Sequence, residues 1–162
     1  MAHSSDEIRG VLVQAGEERV LLPNATVAEV LARAVVQPVA DAPAWLAGTI
    51  DWHGWQVPLI SFARLTGLSQ EDLAANSRVV VLKALGGNEG LPYFALLTRS
   101  FPRLVSVPRD GLLADATEEA LPPGVQVRVL LGDESALLPH LEGIEAMLLE
   151  LLPAIAKADS AA

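Results

Sequence analysis

The chain has 162 residues, of which 51% are hydrophobic and 19% charged, and it contains no cysteine. That length suits one domain of ordinary size, able to bury roughly 70% of its unfolded surface without covalent staples. The missing cysteines exclude disulfides, thiolate catalysis and thiolate-held metals, and 11 basic against 20 acidic residues, −9 in all, make sequence-independent nucleic-acid binding a poor fit.

The mean hydropathy of +0.37 is high. No apolar run nears the 18 or so residues that a membrane span needs, so no membrane insertion is expected. Met1 to Glu7 carries neither a basic n-region nor an apolar h-region. No signal peptide is therefore expected, and the cytoplasm is the expected location. The apolar surplus is Ala, Val and Leu. It implies either a large core or apolar surface reserved for a partner, and the low charge favours the second.

In chain order, residues 1–8 read as a flexible N-terminus. Arg9 to Pro23 reads as a hairpin turning at Gly16-Glu17. Thr26-Val27-Ala28-Glu29 has the form of a capping box, which predicts a short helix through about Arg33. Val35 to Pro43 is broken by prolines. Leu46 to Trp52 and Trp55 to Phe62 read as strands joined by His53-Gly54, a two-residue loop suited to positive φ. Trp52 and Trp55 then oppose each other across the hairpin. Pro58 predicts an edge strand or a bulge.

Ala63 to Leu68 reads as a short helix ended at Gly67, and Ser69 to Asp72 as a further turn. Strands are predicted at Arg78–Leu82, Tyr93–Thr98, Leu104–Val107 and Val125–Leu131. Ser135–Leu141 is an ambiguous last strand. Gly143 to Ala156 is an amphipathic helix with a stripe of Ile144, Met147, Leu148, Leu151, Leu152 and Ile155, leaving Glu145 and Glu150 off it. Many short, closely spaced strands argue for a barrel-type β protein.

Charge is segregated. Arg78 to Arg109 holds five bases against one acid, Glu89, and Asp110 to Glu150 holds nine acids against one base. Two solvated faces would account for this. So would a dipolar molecule that docks in a fixed orientation.

The search for chemistry is mostly negative. His3, His53 and His140 show no metal-ligand spacing, and no nucleophile elbow, Ser-x-x-Lys pair or phosphate loop is present. Gly86-Gly87-Asn88-Glu89-Gly90 reads as a hairpin loop. Glu17-Glu18, Glu118-Glu119 and Asp133-Glu134 sit in polar turns, whereas a tuned acid/base couple needs burial. Neither metal nor cofactor is expected. Trp45, Trp52 and Trp55 fall within eleven residues of a chain only 4% aromatic. They form either a local core cluster at one barrel end or an aromatic hot spot for a partner. Arg99, Arg103 and Arg109 are surface charges or, as a set, a match for an acidic partner.

From Pro38 to Phe62 the sequence resembles the CheW-like coupling-protein family of bacterial chemosensory systems. The family pattern is a glycine, two apolar residues, Asn-Leu-Arg-Gly, an apolar stretch, a proline, two apolar residues and Asp. Here it runs Gly48-Thr49-Ile50-Asp51-Trp52-His53-Gly54, then Trp55-Gln56-Val57-Pro58-Leu59-Ile60-Ser61. The glycines and Pro58 are in place. Asp51 replaces Asn, Trp52 replaces Leu, His53 replaces Arg and Ser61 replaces Asp. Further on, Arg99 stands where the family has an acid.

The resemblance implies a mainly β domain over residues 9–148, followed by a helix end and flexible tail over 149–162. The expected fold is two intertwined five-stranded SH3-like barrels with short helices and a C-terminal amphipathic helix. It implies a non-enzymatic adaptor that couples chemoreceptor cytoplasmic tips to the regulatory domain of a CheA-type histidine kinase. The departures suggest a divergent, accessory member of a system controlling type IV pili and twitching. The alternative is a scaffold of the same fold that recruits another protein or self-associates without the kinase. Asp51, Trp52, His53, Trp55, Trp45, Arg99 and Arg103 are the expected partner-binding residues. A hydrolase using scattered carboxylates is the remaining reading. It would show itself as a buried carboxylate pair in a deep pocket.

Overall fold

The computed structural model describes residues 7–67, 77–87, 89–99, 101–108, 112–114, 121–131 and 134–160. The expected turn at Ser69–Asp72, and Arg109, lie outside them. The chain is mainly β. It builds two strands of one sheet, crosses to build the whole of a second, and returns to finish the first.

The opening hairpin pairs β1 (Glu7–Ala15) with β2 (Glu18–Pro23) from Gly10↔Pro23 to Ala15↔Glu18. The alternation in sequence becomes two buried faces. Val11, Val13, Val20 and Leu22 enter the main core, while Leu12 and Leu21 pack with Val129 and Ala136 on the other side.

The expected helix after Thr26 is a strand. A 3-10 turn, Asn24–Thr26, leads into β3 (Val27–Leu31), which pairs with β6 (Arg78–Lys83) through Val30↔Val80 and Leu31↔Val79. The Thr26 hydroxyl donates to the Pro23 carbonyl at 2.7 Å. It does not cap a helix, and Glu29 is freed for other work. The capping pattern is a local preference. Val27, Val30 and Leu31 gain more from laddering onto a buried strand.

The central hairpin is as expected: β4 (Leu46–Trp52) and β5 (Trp55–Ile60), with Trp52↔Trp55 closing the register. Pro58 marks neither an edge nor the bulge. β5 lies between β4 and β7 (Tyr93–Thr98) in the sheet order β3-β6-β7-β5-β4. The register shift falls on β4, between Leu46 and Gly48. Pairing with β7 runs through Leu59↔Ala95 and Ile60↔Leu96, so Pro58 sits just before it.

Helix α1 (Phe62–Thr66) starts at Ser61, whose hydroxyl accepts from the Arg64 N–H at 3.4 Å, and ends on left-handed Gly67. The first sheet is completed by β8 (Arg103–Pro108), β9 (Leu112–Ala114), β10 (Val125–Leu131) and β11 (Glu134–Pro139). Its order is β8-β1-β2-β11-β10-β9, six strands where five were expected. The short β9 supplies the extra one.

The five-stranded sheet curls. Its ladders end at β3 and β4, but the chain after β3 comes round to β4. Gln37 and Thr49 exchange two backbone hydrogen bonds, both 2.8 Å. Inside the curl, Ile50, Val57, Leu59, Val79, Val81, Ala95 and Leu97 form a core of their own. Gly48 is required at this seam. Its φ is +149°, and a Cβ there would lie 2.3 Å from the Gln37 carbonyl oxygen.

Helix α2 (Leu141–Ser160) joins the two sheets. Leu141, Ile144, Leu148 and Ile155 pack with Val11 and Leu22 of one sheet and Leu82 and Phe94 of the other. The helix continues past Pro153, which forgoes one backbone hydrogen bond. Glu145 does not stand off the buried face. It is itself buried, and its two carboxylate oxygens accept the backbone N–H groups of Leu85 at 2.9 Å and Gly86 at 2.8 Å.

Candidate protein-docking site

His53 and Gly54 both have positive φ, 50° and 83°, as a type I′ hairpin turn requires. This turn carries Asp51, Trp52, His53 and Trp55 at one end of the five-stranded sheet. Two residues that sequence reasoning passed over hold the tip in place.

The first is Glu29 of β3. Its Oε1 accepts the Trp52 indole N–H at 3.2 Å and contacts His53 Nε2 at 3.4 Å. β3 and β4 are opposite edges of the ladder, so one carboxylate fastens the seam where the curled sheet meets itself. The His53 side chain is 69% exposed and that of Glu29 45%. Such a contact contributes little to stability, on the order of 0–1 kcal/mol. Its effect is to fix the direction in which the turn presents its side chains.

The second is Tyr93, at the start of β7. Its ring meets Trp52 edge-on at 4.8 Å and Trp55 at 6.0 Å. Trp52 also meets His53 edge-on at 4.6 Å. The opposed tryptophans therefore both lean on one tyrosine, an arrangement that suits the aromatic quadrupole.

The three tryptophans are not one cluster. Trp45 packs on the main core and Trp52 on the core inside the curl, and Trp55 is 46% exposed. Trp45 lies before the first residue of β4 and the tip after its last, so the strand separates them. Arg99 and Arg103 are not at the tip either. Arg99 follows the last residue of β7, where its N–H donates to the Gln14 carbonyl at 2.7 Å and its guanidinium to that of Gly16 at 3.2 Å. Arg103 opens β8. Asp51, Trp52, His53 and Trp55 are thus brought together, and Trp45, Arg99 and Arg103 are not.

The arrangement offers a surface for another molecule. Glu145 is the one buried carboxylate among the described residues, and both its oxygens are taken by backbone donors, so these residues hold no buried carboxylate pair. Among the described residues, no three His, Asp or Glu side chains are placed to hold a metal ion. No described helix is long and apolar enough to cross a membrane.

Two β sheets share one helix, and an exposed hairpin turn stands at the end of one of them. The chain belongs to the CheW-like domain family, whose model matches residues 9–147. Its fold is similar to that of the scaffolding protein TtCheW from Thermoanaerobacter tengcongensis, with a TM-score of 0.70 and 16% sequence identity over 83% of this chain and 89% of that one. A comparison with curated proteins returned no match. A scaffold role in chemotaxis signalling is what the family supports.

Proposed function

We propose that the chain is a non-enzymatic cytoplasmic adaptor. Its single unit, residues 9–148, docks the regulatory domain of a CheA-type histidine kinase and the cytoplasmic tip of a chemoreceptor. Holding both at once makes the kinase respond to the receptor's conformation, a coupling free energy between two sites. One observation supports this above the others. The segment that carries the family's motif folds into an exposed turn, and Glu29 fixes its orientation through Trp52 and His53.

Among the exposed residues of that turn, Asp51 and His53 depart from the family pattern. The family pattern has Asn and Arg there, so a carboxylate and an imidazole now face the partner. These departures, with Arg99 in place of an acid, favour an accessory coupling protein serving type IV pili and twitching. Such a protein needs a partner kinase with matching changes.

The test is a substitution at the turn. Asp51→Lys combined with His53→Ala should weaken binding to the kinase regulatory domain by at least about tenfold, or 1.4 kcal/mol. The thermal midpoint should move by less than about 3 °C, because both side chains are exposed. Unchanged binding to kinase and receptor alike would remove the turn from the interface.

A further inference from the structure

Strand β7 begins at the wall of an apolar cleft. The cleft has a volume of about 430 Å³ and is lined by Trp55 of β5, by Leu91 and Tyr93 at the approach to β7, and by Leu152 and Ile155 of α2. Glu89 is the one charged side chain on its wall. This residue is exposed and forms no ion pair among the described residues. The Gln56 side chain, also on the wall, is engaged, since its carbonyl oxygen accepts the Thr49 hydroxyl at 3.2 Å. Lys83 is the register partner of Tyr93, but its ammonium is directed to the Ala25 carbonyl, 3.5 Å away on the β3 side. The cleft is therefore apolar and aromatic, with one open carboxylate and no base.

These groups are held in place by the fold. The ring centroids of Trp55 and Tyr93 lie 6.0 Å apart with their planes at 60°, and Tyr93 is braced a second time by Trp52 at 4.8 Å. The loop that carries Glu89 is tied down as well. Glu145 accepts the Leu85 and Gly86 N–H groups near its start, and the Ala84 N–H donates to the Pro92 carbonyl across its base at 2.9 Å. Aromatic pair and carboxylate thus share one wall without a ligand having to assemble them, which lowers the cost of binding.

We infer that this cleft binds a small organic cation, a quaternary ammonium carrying an apolar group. The ring quadrupoles and the Glu89 carboxylate both attract positive charge. With the two centroids 6.0 Å apart, one cation can lie within about 6 Å of both. The apolar wall selects the kind of cation. A primary ammonium is strongly hydrated, and its N–H donors would lack partners there. A quaternary centre has no N–H to satisfy and presents only carbon to Leu152 and Ile155. An anion finds no base on the wall. A volume near 430 Å³ falls within the range of small-molecule sites and leaves room for an apolar group beside the cationic head. Of the docking turn, only Gly54 and Trp55 are on the wall, and Asp51 and His53 are not. The site therefore does not rest on kinase coupling.

Calorimetric titration of the full chain tests this with three probes that share a benzyl group: benzyltrimethylammonium, benzyl alcohol and phenylmethanesulfonate. The cation should bind with a dissociation constant below about 1 mM, at least about tenfold tighter than the alcohol, and the sulfonate should bind more weakly than either. In heteronuclear NMR spectra the Trp55 indole N–H should shift as the cation is added, and the Trp45 indole N–H, on the main core, should not. Trp55→Ala should weaken cation binding at least about tenfold. Glu89→Gln should weaken it at least about fivefold and leave binding of the alcohol within about twofold of the wild type. Circular dichroism melts confirm that each variant is folded. A cation that shows no saturable heat up to about 10 mM, that binds no tighter than the alcohol, or whose binding neither substitution weakens would overturn the inference.

Discussion

Replacing Gly48 with alanine should cost about 3 kcal/mol or more, seen as a fall of roughly 6–12 °C in thermal midpoint. The added methyl would lie 2.3 Å from the Gln37 carbonyl oxygen and 2.7 Å from Val36 Cγ1, at a φ of +149°. The close neighbour is backbone, so it cannot rotate away. It is also the carbonyl that accepts the Thr49 N–H at 2.8 Å. Relief of the clash therefore breaks the pair of hydrogen bonds that closes the curled sheet. The damage should reach the docking turn, because the same seam is fastened further along by Glu29, Trp52 and His53. Urea unfolding measures the loss. A change below about 1 kcal/mol would mean that the two segments do not approach as described.

The second large effect is at Glu145. Its carboxylate satisfies two backbone donors in the loop between β6 and β7, Leu85 N–H and Gly86 N–H. A hydrogen bond to a charged group contributes about 1.5–3 kcal/mol, and water can partly replace it at this exposed loop. Glu145→Ala should cost about 3 kcal/mol. Glu145→Gln keeps one acceptor and turns an amide donor toward the other N–H, so it should lose about half as much. Hydrogen exchange distinguishes this from a general loosening. In the alanine variant the Leu85 and Gly86 amides should lose protection at least tenfold beyond the change in global stability. Equal protection would show that the carboxylate does not anchor the loop. The same loop runs on to Glu89 and Tyr93, so Glu145 ties α2 to the wall of the apolar cleft.

Signals carried within a few residues were legible in the sequence. His53-Gly54 between two apolar strands announced its hairpin, and Gly67 marked the end of α1. The runs at Tyr93 and Val125 became strands with the expected edges, and the run at Arg78 ended one residue later, at Lys83. What failed had its cause far along the chain. Thr26 to Glu29 has the local form of a helix start, yet its conformation is set by β6, whose Val79 and Val80 lie some fifty residues on. Glu29 could not be placed in the site because its partners Trp52 and His53 are 23 and 24 residues away. Tyr93 gave only the signal of being the single tyrosine of the chain. The parallel contacts of β5 with β7 and of β2 with β11 have no hairpin signature, since parallel neighbours need long crossovers. At three residues, β9 is too short to show a period. Glu145 was misread because a carboxylate on a helix is ordinarily solvated. Only the loop across from it shows why this one is buried.

The scaffold reading explains why the family's motif builds an exposed turn here. Asp51 and His53 give that turn a chemistry unlike the family pattern, so its preference among kinases is where the reading is most exposed to test. The most direct measurement is a calorimetric titration of the full chain with the regulatory domain of the CheA-type kinase from the same cell. The account predicts saturable binding near micromolar affinity, about −8 kcal/mol, reduced at least tenfold by Asp51→Lys with His53→Ala. No heat at several temperatures, together with no complex on a sizing column, would contradict kinase coupling.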